Sequence, residues 1–152
     1  MSAEVEKPAP RSPRGLILFA LVALGGILGG LARTGVLALA GPDLADAGLA
    51  AINVLGSGLL GLLVGAASPR AGAWLRPFAG TGVLGGFTTF SAAIATSAQL
   101  ATGSGPGAAV GYLALSLASS VLAAGLGLTL GMRLARGGSR ARATPGSTGG
   151  HP

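Results

Sequence analysis

Four long apolar runs, nearly free of charge, constrain this chain more than any other feature of its sequence. They cover roughly 16–39, 48–67, 78–100 and 108–134. A helix crosses the hydrocarbon core of a bilayer with about 20 apolar residues, and each run has that length. The first follows a polar, Pro-rich tail with Lys7, Arg11 and Arg14, as a signal peptide would, but it is too long for a cleaved apolar region. With 50% hydrophobic and only 9% charged residues, the chain has too little charge to cover a water-facing surface. The sequence therefore predicts an all-α membrane protein with four transmembrane helices. It divides into a tail over 1–14, a membrane domain over 15–134, and a disordered basic tail over 135–152 that contains His151.

Polar residues inside the runs carry the functional information. The third run holds Gly82-Val83-Leu84-Gly85-Gly86-Phe87-Thr88-Thr89-Phe90-Ser91. Glycine raises the cost of a helix, and Ser and Thr compete for its backbone groups, so this stretch is predicted to break or unwind. At membrane depth the released carbonyls and amides need protein, a cavity or an ion. The competing expectation is a glycine packing face whose hydroxyls bond back to the preceding turn. Asn53, followed by Gly56, Ser57, Gly58 and Gly61, needs a partner on another helix or along a wet path. Arg33, the only charge set back from the ends of the runs, either snorkels to the headgroups or lends positive potential to a vestibule. Gly25-Gly26-Ile27-Leu28-Gly29-Gly30 suits close helix approach, and Trp74 is placed as an interfacial anchor. The fourth run carries Tyr112, Ser116, Ser119, Ser120 and Thr129, to which the sequence assigns no individual roles.

What is missing narrows the classes. All four acidic residues (Glu4, Glu6, Asp43, Asp46) are expected outside the spans, the last two in a short turn from Gly41 to Asp46. A proton-coupled carrier needs an intramembrane carboxylate. No phosphate-binding loop, metal-ligand cluster or catalytic triad is present, so an enzyme is not expected. Absence of cysteine excludes disulfides and thiolate metal sites. The net charge of +6 suggests a nucleic-acid partner until its positions are read. Basic residues confined to tails and one loop report membrane orientation instead. Neutral donors plus one arginine suit a permeating anion better than a cation.

These residues resemble a known family, the small four-helix fluoride channels called Fluc or CrcB. The likeness covers residues 16–134. It rests on Gly25-Gly26 with Arg33, on Asn53-Val54-Leu55-Gly56-Ser57, and on Gly82-x-x-Gly85-Gly86-x-Thr88-Thr89-Phe90-Ser91, in the family's order and spacing. The resemblance implies an antiparallel dimer with a broken third helix, two fluoride pores along the interface and a structural sodium ion between the broken helices. It places the sodium-binding carbonyls on Gly85 and Thr88. It places the anion path at Asn53, Phe90, Ser91, Thr89 and Arg33, which offer an amide, a phenyl edge, two hydroxyls and a positive charge. The implied function is passive export of cytoplasmic fluoride across the cell membrane, relieving its toxicity.

Two departures from that pattern concern the partner. Ala92-Ala93 stands where the family has Thr-Phe, which removes the second phenylalanine of a paired box. Leu49 stands where the family often has threonine. Nine of the ten basic residues (Lys7, Arg11, Arg14, Arg70, Arg76, Arg133, Arg136, Arg140, Arg142) fall on the side that holds both tails and the central loop. The positive-inside rule then predicts cytoplasmic termini and one direction of insertion. An antiparallel dimer would need an oppositely biased paralogue, so the expectation is one half of a heterodimer. The alternatives are a small multidrug-type carrier, disfavoured by the lack of a membrane-embedded glutamate, and a non-conducting scaffold whose glycines only pack.

Overall fold

The computed structural model describes residues 13–67 and 73–142. The expectations for Lys7, Arg11, Arg70 and the end of the C-terminal tail lie outside the described residues. Four helical spans long and apolar enough to cross a membrane make up the fold, with no strand among the described residues. Helix α1 is Pro13–Ala40, and α2 is Ala45–Ala66. The third span, Ala73–Gly103, is composite: a π-helical stretch over Arg76–Leu84, a single α turn over Gly85–Phe87, and helix α3 over Phe90–Gly103. Helix α4 is Pro106–Arg142. The short turns before α2 and α4 each contain a glycine at positive φ, Gly41 and Gly105, a conformation that side chains disfavour.

Two boundaries differ from the sequence reading. Asp46 is not in the turn but in the first turn of α2, where a carboxylate faces the positive end of the helix dipole. Residues 135–142, expected as disordered tail, continue α4 as helix. Extending an existing helix needs no new nucleus, so Ala and Arg suffice to carry it past Gly137 and Gly138.

Packing is organised as two close pairs. Helix α2 lies mainly on α4, and α1 lies mainly on the π-helical stretch. Glycines set both seams: Gly58 and Gly65 face Gly127 and Gly131, and Gly61 faces Ala124, while Gly25 and Gly29 face Gly82 and Val83. Small residues let backbones approach where lipid supplies no hydrophobic drive between helices. The core is correspondingly thin. Ile52 is the one large side chain nearly lost from the surface among the described residues, and most leucines of α1 and α4 face outward. At the end of the bundle holding Arg76, that residue's Nη2 donates to the Val64 carbonyl at 3.2 Å, satisfying the last turn of α2.

Candidate functional site

The third span leaves helical backbone at two residues. Thr88 (φ −84, ψ 155) and Thr89 (φ −153, ψ 118) are extended between the turn at Gly85–Phe87 and the start of α3. Side chains take over the bonds the helix gives up. The Thr89 amide donates to Asn53 Oδ1 at 2.9 Å, and Asn53 Nδ2 donates to the Thr89 carbonyl at 3.2 Å. The Ala92 amide donates to Thr89 Oγ1 at 3.3 Å, which makes Thr89 the N-cap of α3. Thr88 Oγ1 turns back to the Leu84 carbonyl at 2.9 Å, and its methyl lies over Gly56, which has no side chain to obstruct it.

This exchange has a consequence for the two carbonyls singled out as cation ligands. In an unbroken α-helix the Thr89 amide would return to the Gly85 carbonyl, and the Ala92 amide to that of Thr88. Both amides are taken by side chains, so both carbonyls lose their usual donors together. Neutral carbonyl oxygens are the ligands a hard monovalent cation takes from unwound membrane helices. No cluster of three His, Cys, Asp or Glu occurs among the described residues.

Two cavities flank the break. One, of about 200 Å³, is walled by α2 (Asn53, Ser57), by the break and α3 (Thr88, Thr89, Phe90, Ala93), and by α4 (Ser116, Leu117, Ser120). The other, of about 360 Å³, is lined by Arg33, Leu37, Leu49, Thr89, Ser91, Ala92 and Ala95. The predicted anion residues are therefore divided: Asn53 and Phe90 in the first, Arg33 and Ser91 in the second. Thr89 walls both, and its hydroxyl lies 3.1 Å from that of Ser91.

In the Asn53 cavity the donors converge. Asn53 and Ser116 are buried, and one of the two Nδ2 hydrogens remains after the bond to Thr89. No hydrogen bond among the described residues occupies the hydroxyls of Ser57, Ser116 and Ser120. Helix α3 begins at Phe90, so the positive end of its dipole meets the cavity wall. Phe90 stands 60% exposed on the outside of the chain, at the cavity rim. Ala93 is buried in the wall. Sequence reasoning assigned no role to Ser57, Ser116 or Ser120, although Tyr112, Ser116 and Ser120 recur at a helical spacing of four. By contrast, Ser119 and Thr129 bond back to their own helix, at 2.7 Å to Leu115 O and 2.9 Å to Leu126 O.

Comparison with known proteins places the chain in a family. The family model described as CrcB-like protein, Camphor Resistance (CrcB), matches residues 20–128. The fluoride-specific ion channel FluC 2 of Thermobifida fusca is 46% identical over 110 residues, covering 70% of this chain and 82% of that one. The fluoride-specific ion channel FluC of Ruegeria sp. is 42% identical over 126 residues, covering 80% and 97%. A FluC 2 from Corynebacterium jeikeium is 41% identical over 141 residues, covering 76% and 79%.

Proposed function

Because this chain belongs to the CrcB-like family, we propose that it is one subunit of a fluoride-specific ion channel, passive and without enzymatic chemistry. One observation carries the reading: Asn53 opens the third span at Thr89 beside a cavity walled by an amide, three free hydroxyls and a phenyl ring. Fluoride is small and strongly hydrated, and replacing its water takes several short-range donors. Hydroxyls and an amide N–H supply them, and the positive edge of Phe90 stabilises the anion without a deep trap. Weak, repeated sites let an ion leave as readily as it enters. Arg33 beside Ser91 raises the local anion concentration in the second cavity. The carbonyls of Gly85 and Thr88 would hold a structural sodium ion, which supplies a fixed positive charge between groups the helix has released.

The partner is a paralogue in an antiparallel dimer. The nine-to-none distribution of basic charge favours one insertion direction, with both termini cytoplasmic. A homodimer would bring Phe90 but also Ala93 to each pore, half of the phenylalanine pair. Two of the relatives carry the number 2 in their names, which supports a second channel chain in those organisms. Fluoride efflux from liposomes, read with a fluoride electrode, tests this. Little flux is expected from the chain alone and robust flux after co-reconstitution with the paralogue. No flux in either case overturns the channel reading, and robust flux from the chain alone overturns the heterodimer. Reporter fusions at both ends should place the termini in the cytoplasm in essentially all molecules. An even mixture of orientations would count against obligatory pairing.

A further inference from the structure

Thr89 is tied to α2 at Asn53, and a second tie lies two turns away. Thr96 Oγ1 donates to Asp46 Oδ1 at 3.3 Å. Asp46 and Asn53 are seven residues apart on α2, and Thr89 and Thr96 are seven apart on the third span. Seven residues make nearly two helical turns, so each pair lies along one face. The pairing runs in opposite senses, Asp46 with Thr96 and Asn53 with Thr89, as antiparallel neighbours require. Asn53 and Thr96 are both buried, while Asp46 is exposed at the start of α2, so the ladder runs from inside the bundle to its edge.

Asp46 also reaches the third wall of the cavity. Its main-chain carbonyl accepts from the Tyr112 hydroxyl at a long 3.5 Å, and Tyr112 lies one and two turns before Ser116 and Ser120 on α4. Nearby, Ser97 Oγ donates to the Ala109 carbonyl at 2.9 Å and joins α3 to α4. Asp46 thus touches the same three elements that wall the Asn53 cavity. It has no cationic partner among the described residues, so its bonds, not an ion pair, define what it does.

The ladder matters because the break makes α3 a separate rod. With no helical backbone through Thr88 and Thr89, the position of α3 rests on its packing and side-chain ties: Thr89 to α2, Ser97 to α4 and, two turns on from Thr89, Thr96 to Asp46. We infer that Asp46 is a positioning residue for the anion site, its carboxylate holding α3 in register on α2 so that Asn53 and Phe90 face one cavity. This rests on the fluoride-channel reading for its functional arm and on geometry alone for its structural arm.

The test uses the full chain in two measurements. In co-reconstituted liposomes, Asp46→Leu and Thr96→Val should each lower fluoride flux about tenfold, since small misplacements of a site are costly. Asp46→Asn keeps an Oδ1 acceptor and should stay within about twofold, and Asp46→Leu with Thr96→Val should be no worse than either alone. Amide hydrogen exchange on the chain by itself should quicken at Thr89 and Ala92 in Asp46→Leu and Thr96→Val, and not in Asp46→Asn. This second readout stands whether or not the chain conducts, so a failed channel reading and a failed ladder give different results. Unchanged exchange at Thr89 in both rung-breaking variants overturns the inference. So does Asp46→Asn behaving like Asp46→Leu, which would assign the effect to charge.

Discussion

The glycine seams and the break at Thr88–Thr89 are built from the same residue types and do opposite things. Along the α2–α4 seam the helices keep their backbone bonds and simply approach: a methyl group on Gly65 would lie 2.9 Å from the Met132 amide nitrogen. At the break the backbone bonds are surrendered and side chains of Asn53 and Thr89 replace them. One short motif contributes to both. Gly82 and Gly86 belong to the seam with α1, where added methyl groups would come within 2.9 Å of Gly25 Cα and 3.0 Å of Gly26 Cα. Gly85, between them, has room: its nearest neighbour would be the Gly80 carbonyl at 3.8 Å. The lesson is that a glycine's work is set by the neighbour it faces, so one run can pack on one side and offer a carbonyl on the other.

Substitutions on either side of this contrast should differ in their cost to folding. Gly61→Val drives methyl groups into the Ala124 backbone and should cost about 3 kcal/mol, since rigid helices cannot yield to overpacking. Denaturant unfolding in detergent would show it, and a variant as stable as the parent would mean the seam is loose. Asn53→Leu leaves the Thr89 N–H and carbonyl unpaired and should cost about 2 kcal/mol. It should also abolish fluoride flux, whereas Asn53→Asp, which keeps the acceptor for Thr89 but loses the amide donor, should fold better than it conducts.

The motif's own glycines give the sharper test. Gly86→Ala should destabilise by about 1–2 kcal/mol because it meets the α1 backbone. Gly85→Ala, at helical φ −66 with open space, should be neutral or stabilising by up to about 1 kcal/mol. Equal losses at the two positions would erase the distinction between seam and carbonyl. Phe90→Ile should shift stability by no more than about 0.5 kcal/mol, because the ring is mostly exposed on the chain. The same variant should abolish flux in the co-reconstituted channel, and retained flux would remove Phe90 from the anion path.

Local chemistry alone fixed the four spans, the position of the break motif and the need of Asn53 for a partner. Hydropathy and the density of Gly, Ser and Thr are properties of neighbours in sequence, and a bilayer punishes any departure from them strongly. Which atoms meet depends on the packed helices. Asn53 pairs with Thr89, 36 residues away, and thereby takes the amide that an unbroken helix would return to the Gly85 carbonyl. Ser116 and Ser120 face a cavity while Ser119 bonds its own helix, a difference of helix face that needs α2 and α3 in place to be read. Arg33 and Asn53 fall in separate cavities because Thr89 stands between them. Asp46 moved from an expected turn to a rung of the ladder because Thr96 arrives opposite it, 50 residues later. Hydrogen bonds act over about 3 Å, so their pairing waits on helix register, and register is set by packing between segments far apart in the chain.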